Sequence, residues 1–304
     1  MRQKQSTKAT LVYTFAWTTF RTIRRWGMTI VRKNPVIRGS AAPSFSSEWK
    51  SVRGLLRARN NHLARDVAES ARQRWSTSLG PLWTPAGASD HYLQMIVAEM
   101  QSNVYDLSGL RVGAVVLDCG ANVGAFTRWA VQKGASRIIC FEPSPANTEC
   151  LQLNLANEIA SGQVVVIQKG VWDCDACLSF SADNLSNPGG HYISEDGKRN
   201  IQVQVTTIDA VCRELNLQKV DYVKLDVEGA ELRALAGARG VISRDRPQLC
   251  IASEHNEDLF ANAEAVRAAV QEIDPSYRMR VTEAHPYRSA SRGYVLTPYT
   301  MLFQ

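Results

Sequence analysis

The chain has 304 residues, of which 45% are hydrophobic and 21% charged. That is the balance of a soluble globular protein of one or two domains, and no apolar run is long enough for a transmembrane helix. The net charge of +6 is uneven: residues 1–47 hold nine Lys or Arg and no acid, and the rest holds 26 basic and 29 acidic residues, so no nucleic-acid partner is expected.

Within the tail, Val12, Phe15, Phe20, Ile23 and Ile30 fall near one helical face, and Arg21, Arg24, Arg25 and Arg32 on another. One reading is a membrane-surface helix or targeting segment; the other is a basic tail that packs loosely. Residues 34–47 carry Pro, Gly and Ser and read as a linker. Residues 48–76, rich in Arg and Ala, predict a helix with Leu55, Leu56, Leu63, Val67 and Ala71 as its stripe, and a second helix is predicted over 91–101. The expected organisation is a tail and linker over 1–47, a helical cap over 48–112 and a catalytic domain over 113–304.

From residue 112 onward, apolar runs alternate with helical patterns. Strands are predicted over 115–118, 137–141, 164–168, 221–226 and 248–253, and helices over 123–133, 146–157, 208–215, 230–239 and 260–273. Thr207 is the expected cap of the helix at 208. The runs 178–180 and 201–205 read as an inserted antiparallel pair, with His191 and Tyr192 on an ordinary hairpin loop between them. Two further strand-like runs cover 277–282 and 293–303. Such alternation predicts an α/β fold, a doubly wound, mostly parallel sheet with helices on both faces and ligands beyond the carboxyl ends of the strands. The seven cysteines are odd in number and several fall in predicted strands, so reduced thiols and a cytoplasmic protein are expected. The lone Cys174-Asp175-Ala176-Cys177 has no second pair to complete a metal site.

The stretch Val115-Val116-Leu117-Asp118-Cys119-Gly120-Ala121-Asn122-Val123-Gly124 is a strand ending in an acid and a glycine turn. A second strand follows and ends at Glu142-Pro143. Glycines let backbone approach a ligand, the helix start offers free N–H groups, and a carboxylate at the second strand tip suits ribose hydroxyls. The turn lacks the middle glycine of G-x-G-x-x-G, which disfavours a dinucleotide, and an acid before it suits a ligand with a cationic end, such as S-adenosylmethionine. Asp226-Val227-Glu228-Gly229-Ala230-Glu231 places three acids where a strand meets a helix, and helix starts attract acids anyway. Asp173 and Asp209 read as helix caps. Asp226 is the acid assigned to the site, and Glu254 and His255 end the fifth strand.

In these stretches the chain resembles the FkbM family of S-adenosylmethionine-dependent methyltransferases. The matching segments are VVLDCGANVGAFT, CFEPSPANTECLQLN, TTIDAV, VDYVKLDVEGAELRALAGA and the strand ending SEH. The resemblance implies a seven-stranded, Rossmann-like class I methyltransferase sheet with an antiparallel last pair. It implies S-adenosylmethionine as donor and an acceptor hydroxyl on a sugar, glycan or polyketide-like small molecule. Carried over, Asp118, Gly120, Asn122 and Gly124 contact the methionine end and Glu142 the ribose. Pro143 and Ser144 border the adenosine, Gly170 and Val171 lie near adenine with Trp172 as a wall, and Asp226 and Glu228 face the reacting centre. An acceptor alcohol needs a base; His255 titrates nearest neutrality, and Asp226 is its rival. Asp226, Glu228 and Glu254 have the chemistry to hold a divalent ion, but an acid cluster at a helix start is a weak signal and no metal is expected. A non-catalytic nucleoside-binding module and a nicotinamide oxidoreductase stay open as alternatives.

Overall fold

A computed structural model describes residues 63–182, 186–193, 201–253, 255, 259–289 and 293–304. The tail, the linker, the first part of the predicted cap and Glu254 lie outside the described residues. The described part of the cap corrects the sequence reading. Residues 64–85 form an antiparallel meander of β1 (Ala64–Ala68), β2 (Arg72–Thr77) and β3 (Gly80–Pro85), not a helix. The deciding pattern has period two: Gln73 and Trp75 are buried between Arg72, Arg74 and Ser76, and Leu82 and Thr84 are buried in β3. Val67 and Ala71, assigned above to a helical stripe, are exposed. The second predicted helix is present as α1 (Asp90–Ser102), its first turn capped by Ser89, whose side chain accepts from the Tyr92 N–H.

The alternation beyond residue 112 follows the sequence closely. In chain order it runs β4 (Val115–Cys119), α2 (Ala125–Gln132), β5 (Arg137–Phe141), α3 (Pro145–Asn154), α4 (Ala156–Ala160) and β6 (Val164–Ile167). A small second sheet follows, made of β7 (Gly170–Val171), β8 (Ala176–Ser181), β9 (Tyr192–Ile193) and β10 (Ile201–Thr206), with β8 and β10 antiparallel. Then come α5 (Ile208–Glu214), capped by Thr207 as expected, β11 (Tyr222–Leu225), α6 (Glu231–Ala236), α7 (Arg239–Asp245), β12 (Gln248–Ala252), α8 (Leu259–Ile273), β13 (Met279–Ser289) and β14 (Gly293–Phe303). The single helix predicted over 230–239 is two helices. Gly237 sits so close to the Trp172 backbone that a Cβ there would meet the Trp172 carbonyl at 2.0 Å, and the chain restarts as α7, whose Gly240 and Val241 N–H groups donate to Asp209, each at 2.8 Å.

The main sheet has the order β13-β14-β12-β11-β4-β5-β6. Counted by appearance in the chain, its seven strands stand 3-2-1-4-5-7-6, and only the last, β14, runs against its neighbours. Period-two alternation divides the core between the two faces. Val116, Ile138, Tyr222, Cys250 and Leu302 pack in the cluster that holds α1, α2 and α3. Leu117, Ile139, Val223, Leu249 and Phe303 pack with α5, α6, α7 and α8. β4 lies between β5 and β11, so connections leave it in opposite directions and the strand ends part to form a crevice. All seven cysteines are free thiols. Among the described residues, no helix is long and apolar enough to cross a membrane.

Candidate active site

The crevice beyond β4, β5 and β11 holds a cavity of about 420 Å³. Its floor is the turn after β4. Gly120 there has φ +77°, and a Cβ would lie 1.9 Å from the Asp226 carbonyl oxygen, so glycine is what lets the turn close on the end of β11. The Gly120 and Ala121 N–H groups both donate to the Phe141 carbonyl at 3.0 Å, which ties the turn to the tip of β5. Asn122 also has positive φ; its N–H donates to Glu142 Oε2 at 2.8 Å, and its side-chain oxygen accepts from the Tyr92 hydroxyl at 2.6 Å.

Glu142 is 5% exposed and lines the cavity. Its other oxygen, Oε1, accepts from the Ser144 N–H at 2.9 Å and from Asn147 Nδ2 at 3.4 Å. Burial pushes its pKa up to about 7, against the pull of the Ser144 and Asn122 N–H groups.

At the tip of β11, Lys224 is buried beneath the cavity. Its Nζ donates to the Gly120 carbonyl at 2.7 Å and lies 3.4 Å from Asp118 Oδ1 and 3.6 Å from Asp226 Oδ2. Burial works against its charge, but Asp118 and Asp226 outweigh burial and raise its pKa. Asp226 Oδ2 also accepts from the Tyr105 hydroxyl at 2.6 Å. Burial alone would raise the Asp226 pKa, but Lys224, His255 and the Tyr105 bond hold it below the usual carboxylate range. His255 faces this group from the end of β12. Its Nδ1 is 2.8 Å from Glu231 Oε1, and its Nε2 is 3.4 Å from Asp226 Oδ1 and 3.8 Å from Glu228 Oε2.

Of the residues picked from the sequence, Gly120, Asn122, Glu142 and Pro143 line the cavity together with Gly170, Val171, Asp226, Glu228 and His255. Two do not. Asp118 is 0% exposed and is the register partner of Lys224; it also accepts from the Thr127 hydroxyl at 2.5 Å. It pairs with Lys224, which does line the cavity. Gly124 starts α2 with φ +83°, and a Cβ there would press on Leu155 Cδ1 at 2.8 Å, so its role is packing. His255 sits among acids. Burial disfavours a charged His255, yet the Glu231 hydrogen bond and the charges of Glu231, Glu228 and Asp226 push its pKa up to about 10.

The helical cap was expected from its position to wall a pocket, but its wall residues were not named from the sequence. One face of α1 supplies Tyr92, Met95, Ile96 and Glu99, spaced three and four apart, and Tyr105, Lys224 and Tyr299 complete it. The helical spacing was the available signal. Residues 186–189 and His191, in the segment between the paired runs, line the cavity too: Ser186 accepts from the Ser89 N–H at 3.0 Å and Pro188 from Asn147 Nδ2 at 3.0 Å.

The strand order, the antiparallel last strand and the carboxylate-tipped crevice define the class I methyltransferase fold. A family model described as the methyltransferase FkbM domain matches residues 118–280, more than half of the chain, and the chain belongs to that family. Methyltransferase 1 of Beauveria bassiana is 30% identical over 155 residues, which cover 44% of this chain and 61% of that protein. The 2-O-methyltransferase NoeI of Sinorhizobium fredii is 22% identical over 184 residues, covering 54% of this chain and 72% of its own. The chain thus spans about six-tenths of the length of the first relative and somewhat more of the second. Among solved structures, methyltransferase FkbM from Methylobacillus flagellatus KT aligns with a TM-score of 0.48 at 19% identity, over 71% of this chain and 56% of that one.

Proposed function

We propose that this chain methylates a hydroxyl group of a small-molecule or glycan acceptor, with S-adenosylmethionine as donor. The observation that carries the reading is one cleft that joins a buried, ribose-competent carboxylate, Glu142, to a second acidic centre at Asp226 and Glu228, within a chain of the FkbM family. The residues fit the donor. The short bonds from Asn122 and Ser144 take one lone pair on each Glu142 oxygen, which leaves acceptor capacity for hydroxyls. The acidic end of the cleft suits a ligand whose ammonium and sulfonium outnumber its carboxylate. The name of the Sinorhizobium relative supports oxygen as the acceptor atom.

When bound, S-adenosylmethionine supplies an electrophilic methyl group on sulfur. Glu142 and the turn at Gly120 and Asn122 would fix the nucleoside, while α1 and Tyr299 would wall the acceptor. The acceptor hydroxyl would pass its proton to a carboxylate lining that end of the cleft, Asp226 or Glu228, as its oxygen takes the methyl group and the carbon–sulfur pair returns to sulfur. Alignment within this closed wall would provide much of the rate.

Calorimetric titration with S-adenosylmethionine and S-adenosylhomocysteine tests the reading, with NADH as control. Wild type should bind both, and Glu142→Ala should lose roughly 1.5–3 kcal/mol, the worth of a hydrogen bond to a charged group. A folded wild-type protein that binds NADH and neither sulfur ligand would overturn it.

A further inference from the structure

We propose that Asp226, Glu228 and His255 form a binding site for a divalent cation of the Mn²⁺ or Mg²⁺ type, placed beside the acceptor end of the cleft. One ligand atom from each of the three lies within 4.8 Å of the others. The two distances from His255 Nε2, 3.4 Å to Asp226 Oδ1 and 3.8 Å to Glu228 Oε2, are close to those required. Ligands about 2.1 Å from one ion stand roughly 3.0–3.4 Å apart in octahedral or tetrahedral arrangements, so the two His255 distances need to change by only a few tenths of an ångström.

Two of the three groups have their far side held by another residue and their near side turned to the same point. His255 Nδ1 is engaged by Glu231 Oε1, which leaves Nε2 as the atom facing the two acids. A carboxylate behind an imidazole is the partner that orients a metal-binding histidine and fixes its tautomer. Glu231 is itself 1% exposed, and its Oε1 accepts from the Val227 and Gly229 N–H groups at 3.2 and 3.3 Å. Its Oε2 is buried with no hydrogen-bond partner among the described residues, negative charge that a nearby cation would offset. On Asp226, the Tyr105 hydroxyl and Lys224 both sit at Oδ2, so Oδ1 is the oxygen toward His255. One imidazole and two carboxylates make an oxygen-rich donor set, which favours Mn²⁺ or Mg²⁺ over a thiolate-seeking ion.

The role of such an ion rests on the methyltransferase reading: it would bind the acceptor hydroxyl and lower its pKa. The site itself does not depend on that reading. The full chain, stripped with EDTA and free of S-adenosylmethionine, is titrated with Mn²⁺, and free Mn²⁺ is followed by electron paramagnetic resonance. One site per chain is expected in wild type, lost in Glu228→Gln and in His255→Ala. Glu231→Gln, acting through the ring, should weaken binding by about 10- to 100-fold. Circular dichroism melts identify any variant that fails to fold, and Glu228→Gln, half-exposed and isosteric, is the variant that keeps the comparison clean. Wild-type binding no tighter than about 1 mM, or Mn²⁺ affinity unchanged in folded Glu228→Gln, would overturn the proposal. A stripped protein that binds S-adenosylmethionine and ignores Mn²⁺ sinks the metal site alone; one that binds Mn²⁺ and ignores S-adenosylmethionine keeps the site and sinks the donor assignment.

Discussion

Glu142 and Lys224 show how burial assigns different tasks to two charged side chains in one crevice. Glu142 has its pKa raised to about 7 from 4.5, so its charge, and with it a nucleoside's hold, should depend on pH. Affinity for S-adenosylhomocysteine should rise with pH through 7 and level above it, falling about tenfold for each unit below. Calorimetry at pH 6 and pH 8 checks this, and Glu142→Gln should bind weakly with no such dependence. The same shift enters stability with the opposite sense. The folded state holds this proton more tightly than the unfolded state between about 4.5 and 7, so this contribution to stability grows as pH falls through that window. Lys224 is a fixed charge. Lys224→Met would leave Asp118 without its buried cation and Asp226 with one cation fewer. We expect a loss of roughly 3–5 kcal/mol in urea unfolding, the usual cost of breaking a buried pair from one side.

At the scale of elements, the turn after β4 is where packing and site coincide. Its neighbour in sequence, Gly113, also has positive φ, but a Cβ there meets nothing within 4 Å, whereas one at Gly120 would collide with the Asp226 carbonyl. Gly113→Ala should therefore cost only the backbone strain of about 1–2 kcal/mol. Gly120→Ala carries that strain plus the separation of β4 from β11, and should cost at least about 3 kcal/mol. Thermal melts of the two variants compare the conformational cost with the steric one. These turns were legible in the sequence, as were the strands of the main sheet, Thr207 as a cap and Glu142 at its strand tip, because each is signalled by residues within one short window. The meander over 64–85 was not, because Arg and Ala favour helices locally, and only the burial of Gln73, Trp75, Leu82 and Thr84 on one side selects a period of two.

Across the molecule, the meander is held to the sheet domain by few but well-placed contacts. The Asn154 side chain accepts from the Trp83 N–H at 2.7 Å and donates to the carbonyls of Trp83 and Val123 at 2.9 and 2.8 Å. Arg128 reaches the Pro81 and Asn154 carbonyls, each at 2.7 Å. Asn154→Ala would leave these backbone groups unsatisfied in a largely buried place, at a cost of about 2–4 kcal/mol. Hydrogen exchange should show it locally, as lost protection at the Trp83 amide while the β5 amides stay protected. Exchange that is unchanged at Trp83 would mean that the meander is held by packing alone.

By itself the sequence determined the class of fold, the order of its elements and the strand ends at which acids gather. Hydrophobic period and turn chemistry act over a few residues, so they can be read without the rest of the chain. The tertiary structure decided which of those acids line the cavity and which are paired with a buried cation. Asp118 turned toward Lys224 because the two are cross-strand partners, and His255 is surrounded by the carboxylates of Asp226, Glu228 and Glu231. Tyr105 reaches Asp226 across 121 positions of sequence, and Lys224 reaches Gly120 across 104. Pairings of that separation exist only after the sheet has closed, and in a buried crevice the partner fixes the charge that each side chain carries.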